Sequence, residues 1–305
     1  MKRVVVTGAS GLLGSYVAAA FAAEYDVLCV DMRPPKAGHA HIEVSVLDLN
    51  ALTRVLSRAD CVAHIAAAPN IGSAPPQRII ELNTLGTWNV LEASLQAGVR
   101  RVLLCSTDSV MGNTVWPDFF WTPQTLPVPE NHPLRPADPY GLSKLMAEEA
   151  GRSYARRGLE VIALRPVFIL FPTMIGEVRA RHANPKEYCG PSAGGHVAAG
   201  GGLCWHHIDP CDVATAFRLA AASSWEGFES FWLAAPSTLH RRPTLELIAE
   251  RFGALPHNVN YAHYAGSPFA PMFDTSAARS RLGWRAQHDH RQTVFGQGAS
   301  SDGPP

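Results

Sequence analysis

The stretch Thr7-Gly8-Ala9-Ser10-Gly11-Leu12-Leu13-Gly14 constrains this chain more than any other. It follows the β-branched run Val4-Val5-Val6 and opens a stretch of helical spacing, so its glycines fall at a strand-to-helix turn. Gly8 permits a tight turn, Gly11 lets the backbone approach a bound group, and Gly14 lets the helix lie close to the strand. A helix N-terminus also offers free N–H donors and the positive end of a dipole, which suits a pyrophosphate. Glycine triplets occur in ordinary turns as well. The placement between strand and helix is what favours a dinucleotide loop, with Ser10 and Leu12 as its other contacts.

Asp31 closes the next apolar run, 17 residues after Gly14. An acidic side chain there accepts hydrogen bonds from both adenosine ribose hydroxyls and repels a 2′-phosphate, which points to NAD. Arg33 is the counterweight, since a nearby guanidinium can pair with that phosphate; it reads equally as a solvated residue before Pro34-Pro35.

From residue 3 to about 166, short apolar runs alternate with helical patterns. The strand candidates are Val4 to Val6, Val27 to Val30, Cys61 to Ile65, Val102 to Cys105 and Val161 to Leu164, and the helical stretches are 12–23, 50–58, 77–97 and 139–157. This rhythm predicts an α/β fold, a Rossmann-type doubly wound parallel sheet with right-handed crossovers. We expect residues 1–167, returning at about 204–235, to form the dinucleotide-binding domain. Residues 168–203, with a Gly-rich segment at 190–202, and 236–290 form a small C-terminal substrate-binding region; 296–305 read as a disordered tail.

With 26 basic and 26 acidic side chains the chain has no electrostatic footprint for nucleic acid or an anionic membrane, and neither partner is expected. Cys29, Cys61, Cys105, Cys189, Cys204 and Cys211 form no CxxC pair and read as reduced thiols. No apolar stretch is long enough for a signal peptide or a span, so a cytoplasmic location is expected.

Asp138 and Pro139 have the character of a helix N-cap and first helical residue, which puts Tyr140 and Lys144 one turn apart on one face. A phenol is a poor base near neutrality, and a neighbouring ammonium favours its phenolate. Cys105-Ser106-Thr107-Asp108-Ser109-Val110-Met111-Gly112 ends a strand at the carboxyl edge, where open α/β sheets bind ligands.

Taken in order, TGxxGxxG at 7–14, Asp31, Asp48-Leu49, His64-Ile65-Ala66-Ala67, Asn83-Thr84-Leu85-Gly86-Thr87, Tyr140-Gly141-Leu142-Ser143-Lys144, Asp274-Thr275-Ser276 and Leu282-Gly283-Trp284 resemble the extended short-chain dehydrogenase/reductase family of NAD-dependent sugar epimerases, dehydratases and dehydrogenases. The resemblance implies that Asp48 and Leu49 contact the adenine, that Ala66 and Ala67 wall the cofactor phosphates, and that Asn83 stands on a helix behind the active site. It implies Tyr140 as the base, Lys144 as its partner that also holds the nicotinamide ribose, and Thr107, counted back from Gly112, as the hydroxyl on the reacting oxygen, with Ser106 as fallback. Met111 stands where many members carry Tyr. Helices 77–97 and 139–157 would form a homodimer's four-helix bundle, with Ala93, Ala97, Met146 and Ala150 as contacts.

The stretches around Thr107-Asp108-Ser109 and Tyr140 look most like the uronate-dehydrogenase-like branch, so Asp108 and Ser109 are expected on the substrate, a small sugar-like molecule. The aromatic loop 113–131, with Trp116, Phe119, Phe120 and Trp121, departs from that branch. Nucleotide-sugar members usually carry an Arg near the position of Trp205; here Arg179 and Arg181 could grip a carboxylate or phosphate instead, or be a solvated pair. Cys204-Trp205-His206-His207-Ile208-Asp209-Pro210-Cys211-Asp212 is rich in metal-competent side chains, but strand alternation sends neighbours to opposite faces and no metal is expected. Net oxidation of a carbinol of a sugar or sugar-acid-like substrate is the leading reading. An NAD-recycling epimerase or dehydratase is the alternative, and a non-catalytic NAD sensor the third.

Overall fold

The computed structural model describes residues 2–36, 38–183 and 203–296. Cys189, the Gly-rich segment 190–202 and residues 297–305 lie outside the described residues. The strands are β1 (Arg3–Thr7), β2 (Asp26–Asp31), β3 (Ala40–Glu43), β4 (Cys61–His64), β5 (Arg101–Cys105), β6 (Thr125–Leu126), β7 (Glu160–Pro166), β8 (Phe228–Leu233) and β9 (Asn258–Val259). Seven of them form one parallel sheet in the order β3-β2-β1-β4-β5-β7-β8, and β6 pairs with β9 separately. The order reverses between β1 and β4, and the crevice beyond the carboxyl ends at such a switch point is where ligands bind.

The sheet's period of two sorts side chains between two cores. Val4, Val6, Leu103 and Ile162 face one side, with Val17 and Phe21 of α1 (Leu12–Ala22). Val5, Val102, Leu104 and Val161 face the other, with Leu52 and Leu56 of α2 (Leu49–Leu56). The predicted helix 77–97 is three pieces: α3 (Pro76–Ile80), a π-helical turn (Glu81–Leu85) and α4 (Gly86–Gln96). α5 (Pro139–Ala155) lies beside α4, α6 (Ile175–Ala183) follows β7, and α7 (Pro210–Ala222) packs on α1.

β3 escaped the sequence reading because it is a four-residue edge strand whose side chains stay largely exposed, leaving no apolar alternation to read. The run Cys204 to Asp212 resolves into separate structural duties. His207 Nε2 accepts the His290 N–H at 3.1 Å, and Asp209 caps α7 through the Cys211 N–H at 2.7 Å. Asp212 Oδ2 accepts the N–H groups of Gln287 and His288, both at 3.0 Å, which fastens the C-terminal segment to α7.

Candidate active site

The glycine loop is fixed by contacts that tolerate no side chain. Gly8 has φ +71°, and a Cβ there would fall 2.5 Å from the Ala66 backbone nitrogen; one on Gly14 would fall 2.0 Å from the Gly8 carbonyl oxygen. Gly11 is the N-cap of α1, and no side chain caps that helix. Asp48, Asp138 and Asp209, by contrast, cap α2, α5 and α7 with their carboxylates. The first N–H groups of α1 are thus left to a ligand, beside a cavity of about 610 Å³ lined by Gly8, Gly11, Leu12 and Gly14. A dinucleotide pyrophosphate fits this donor set.

Asp31 lines the same cavity, oriented by the Ser10 N–H on Oδ2 at 3.0 Å and the Arg33 N–H on Oδ1 at 3.2 Å. The Ser10 hydroxyl donates to the Arg33 carbonyl at 2.5 Å, so this serine shapes the loop. Ala66 and Ala67 line the opposite wall. Asp48 and Leu49 do not line the cavity among the described residues; Asp48 accepts the Ala51 N–H at 2.9 Å as the N-cap of α2. Ser45 and Val46, three residues earlier, occupy the wall. The acidic residue that reads as a ligand contact is spent on a helix start, a role its position before α2 already allowed.

Behind the loop runs a chain of hydrogen bonds with a fixed direction. The Thr87 hydroxyl donates to the Asn83 carbonyl at 2.6 Å, so its oxygen accepts from His64 Nε2 at 3.0 Å, and His64 Nδ1 accepts from the Thr7 hydroxyl at 2.7 Å. Burial pushes the His64 imidazole down to about 3, which keeps it neutral, as this relay requires. Asn83 sits in the π-helical turn, accepts the Ala68 N–H at 2.7 Å and donates to the Ser143 hydroxyl at 3.0 Å. It stands behind the cavity and locks the Ala66-Ala67 wall to α5.

Asp138 caps α5 by accepting the Gly141 N–H at 2.8 Å, and Tyr140 and Lys144 then reach the cavity from the first turns. Lys144 Nζ donates to the Cys105 carbonyl at the end of β5 at 2.8 Å. Burial lowers the lysine and raises the Tyr140 phenol, while a hydrogen bond from the Thr107 side chain pulls the phenol back. In the protein alone desolvation prevails, and the phenol stands above its usual range. Thr107 Oγ1 donates to Asp108 Oδ1 at 3.1 Å and accepts the Ser109 N–H at 3.2 Å. Burial pushes the Asp108 carboxyl up to about 7, against the hydrogen bond from Thr107. Thr107, Asp108, Ser109, Tyr140 and Lys144 all line the cavity that the glycine loop lines.

A buried ion pair that the sequence reading missed holds this arrangement from below. Arg165 donates to Glu148 twice, Nε to Oε1 at 2.9 Å and Nη2 to Oε2 at 2.7 Å, and Ser106 donates to the same Oε1 at 2.6 Å. Ser106 is thereby committed to α5, whereas the Thr107 hydroxyl is engaged only by its neighbours Asp108 and Ser109 and by Tyr140 on the cavity. The Glu148 to Lys144 spacing of four placed both on one face of α5, and that was the legible signal.

Arg179 and Arg181 are not brought to the site. Arg179 donates its Nε to the Thr293 carbonyl at 2.9 Å, Arg181 pairs with Glu177 at 3.1 Å, and neither lines the cavity among the described residues. On α6, which packs against α11 (Arg291–Phe295), Arg179 serves the C-terminal segment, and Arg181 has Glu177 of its own helix as one partner. In the aromatic loop, Trp121 donates Nε1 to the Met111 carbonyl at 2.8 Å and is bracketed by both amide atoms of Asn113. This anchors the loop while Thr114 and Val115 line the cavity and Trp116 and Phe119 stay exposed.

Residues 4–186 match the model of the NAD dependent epimerase/dehydratase family. An L-arabinose 1-dehydrogenase (NAD(P)(+)) of Haloferax volcanii is 37% identical over 194 residues, 62% of this chain and 75% of that one. A uronate dehydrogenase of Pseudomonas syringae pv. tomato is 28% identical over 170 residues, 54% of this chain and 58% of that one. The structure of MoeE5 in complex with UDP-glucose and NAD superposes with a TM-score of 0.68 at 26% identity, covering 96% of both chains. The protein is an NAD-dependent enzyme with the extended short-chain dehydrogenase/reductase fold, and the chain belongs to the NAD-dependent epimerase/dehydratase family.

Proposed function

We propose that the protein oxidises a carbinol of a small, uncharged sugar, with Tyr140 as the base. The observation that carries this reading is the meeting of Thr107, Tyr140 and Lys144 on the cavity that the glycine loop also lines. NAD, held by the glycine loop and Asp31, would supply the hydride acceptor and, when oxidised, a positive charge. Tyr140 takes the hydroxyl proton as the carbinol becomes a carbonyl, and Thr107 holds the reacting oxygen. Lys144, steered by the Cys105 carbonyl, holds the cofactor ribose and adds its charge. Burial raises the phenol in the protein alone, so the positive charge of a bound oxidised cofactor would help it to act as a base.

The substrate wall supports a neutral sugar. Among the described residues, the cavity's basic side chains are Arg33 at the adenosine end, Lys144, and Arg78, which pairs with Glu81 at 2.5 Å. Among the described residues, a sugar nucleotide's diphosphate would find no cavity guanidinium beyond Arg33 and the already paired Arg78. The kinship with an L-arabinose dehydrogenase points the same way. The test is NADH formation with L-arabinose and other neutral aldoses, a uronate and UDP-glucose. Turnover of UDP-glucose alone would overturn the reading. An NAD-recycling epimerase or dehydratase is the second reading, favoured by Asp108, whose carboxyl near 7 could give and take a further proton. NAD that stays with the protein through purification would favour it.

The reading includes a homodimer in the cytoplasm. No described helix is long and apolar enough to cross a membrane, and the described cysteines are free thiols. Leu85, Trp88, Leu142 and Met146 are exposed on the π-helical turn, α4 and α5, which gives those helices an apolar outer face. Ala93, expected among the contacts, is instead fully buried against the sheet.

A further inference from the structure

We propose that His206 is a specificity-determining residue whose Nδ1–H is offered to the substrate as a fixed hydrogen-bond donor, selecting a sugar with a hydroxyl oxygen at that point of the cavity. The inference rests on the sugar reading above. His206 Nε2 accepts the Met272 N–H at 3.0 Å, so that nitrogen carries the lone pair and a neutral ring must carry its proton on Nδ1. The ring is buried, which pushes its titration down to about 3 and keeps it neutral in use.

The Nδ1–H has no hydrogen-bond partner among the described residues, yet it is not one of the sealed polar atoms, unlike Nδ1 of the adjacent His207. His206 lines the cavity, and Nδ1, the ring nitrogen that Met272 does not engage, is the one we assign to it. Around it the wall is Phe168, Ile169, Met272 and Phe273, which present no competing acceptor side chain. A donor left bare in apolar surroundings is costly unless a ligand oxygen meets it, so a molecule lacking that oxygen is rejected.

The backbone over-determines the ring's direction. Trp205, just before it, has φ +50°, a left-handed conformation that a tryptophan rarely adopts. Its carbonyl accepts the Leu239 N–H at 2.8 Å, and the His182 ring lies on its indole at 4.0 Å. Phe273 leans on the imidazole at 5.0 Å. Strain held in place by such contacts is characteristic of functional sites.

Two variants separate this role from a structural one. His206→Gln keeps an acceptor for the Met272 N–H but loses the Nδ1–H; His206→Asn keeps a donor near the Nδ1 position but gives up that acceptor. With L-arabinose, D-galactose and D-glucose as probes, each with its monodeoxy analogues, His206→Gln is expected to raise the sugar KM about tenfold while leaving kcat and NAD affinity near their original values. One deoxy analogue should lose the same factor with the unaltered enzyme and nothing further with His206→Gln. His206→Asn should keep more sugar affinity and melt lower. An unchanged KM in His206→Gln, or full additivity with every deoxy sugar, overturns the proposal. If the enzyme turns over no sugar, the functional reading fails on its own. Nitrogen NMR of the histidine-labelled, NAD-loaded protein still decides the donor: a ring protonated on Nε2, or an Nδ1–H signal that none of these sugars shifts, overturns it.

Discussion

Replacing Glu148 with Leu strands a guanidinium in the core. The side chains of Arg165 and Glu148 are 0% and 1% exposed, so neither charge has water to fall back on. Removing one partner of such a pair costs about 3–5 kcal/mol, because the remaining charge stays buried. Ser106 loses its acceptor as well, which adds about 1 kcal/mol. Against a total stability of about 5–15 kcal/mol, this moves the urea midpoint far down. Glu148→Leu with Arg165→Met removes both charges and should recover most of the loss, since two apolar side chains of similar length fill the space. Burial alone would raise the Glu148 carboxyl, but Arg165 overcomes it and holds it below the usual range. The pair's contribution is therefore present above about pH 4.3 and is lost as pH falls through the lowered value. Urea unfolding followed by circular dichroism measures all three proteins. A Glu148→Leu cost below about 1 kcal/mol, or a double variant no more stable than the single one, would refute the argument.

Asp31→Ala should narrow the preference for NAD over NADP, because it removes the ribose acceptor and the repulsion of a 2′-phosphate; titration with both cofactors measures it, and tighter NADP binding by the unaltered protein would mean that Arg33 governs the choice. Burial raises the Asp108 carboxyl to about 7, so its stabilising share is complete below about pH 3.9, is lost as pH rises and is gone above about 7. Compared at each pH, the cofactor-free unaltered protein should lose melting temperature relative to Asp108→Asn as pH rises from 5 to 7.5, while the opposite slope from His64 and His206, which burial keeps neutral, and the slope from Glu130 are common to both proteins. Light scattering at micromolar concentration should give twice the chain mass, and Leu142→Glu with Met146→Glu should halve it; a monomer from the unaltered protein rejects the dimer.

The parallel sheet was legible because its strands are short apolar runs, buried on both faces, that stand apart from the helices between them. The glycine loop, Asp31, Tyr140 and Lys144 stood out in the sequence because the proposed chemistry requires those residue types at those spacings, and Thr107 because of the family resemblance; all of them line one cavity. Asp48 was ambiguous because a carboxylate before a helix serves equally as cap or ligand, and the fold shows its capping role and places Ser45 and Val46, three residues earlier, on the cavity. Arg179 and Arg181 misled for a related reason: guanidinium groups near a site in sequence were claimed by Thr293 and Glu177 in space. The Arg165–Glu148 pair and the Met272 N–H on His206 join residues 17 and 66 positions apart, which local spacing does not register.

The central claim is that Tyr140 is the base, and Tyr140→Phe tests it with the loss of one oxygen and no change in the packing of α5. With the best sugar from the panel, turnover should fall by about 10²–10⁴, the usual share of general acid/base catalysis, while NAD binds with near-unchanged affinity. A Tyr140→Phe enzyme that keeps full turnover would contradict the account.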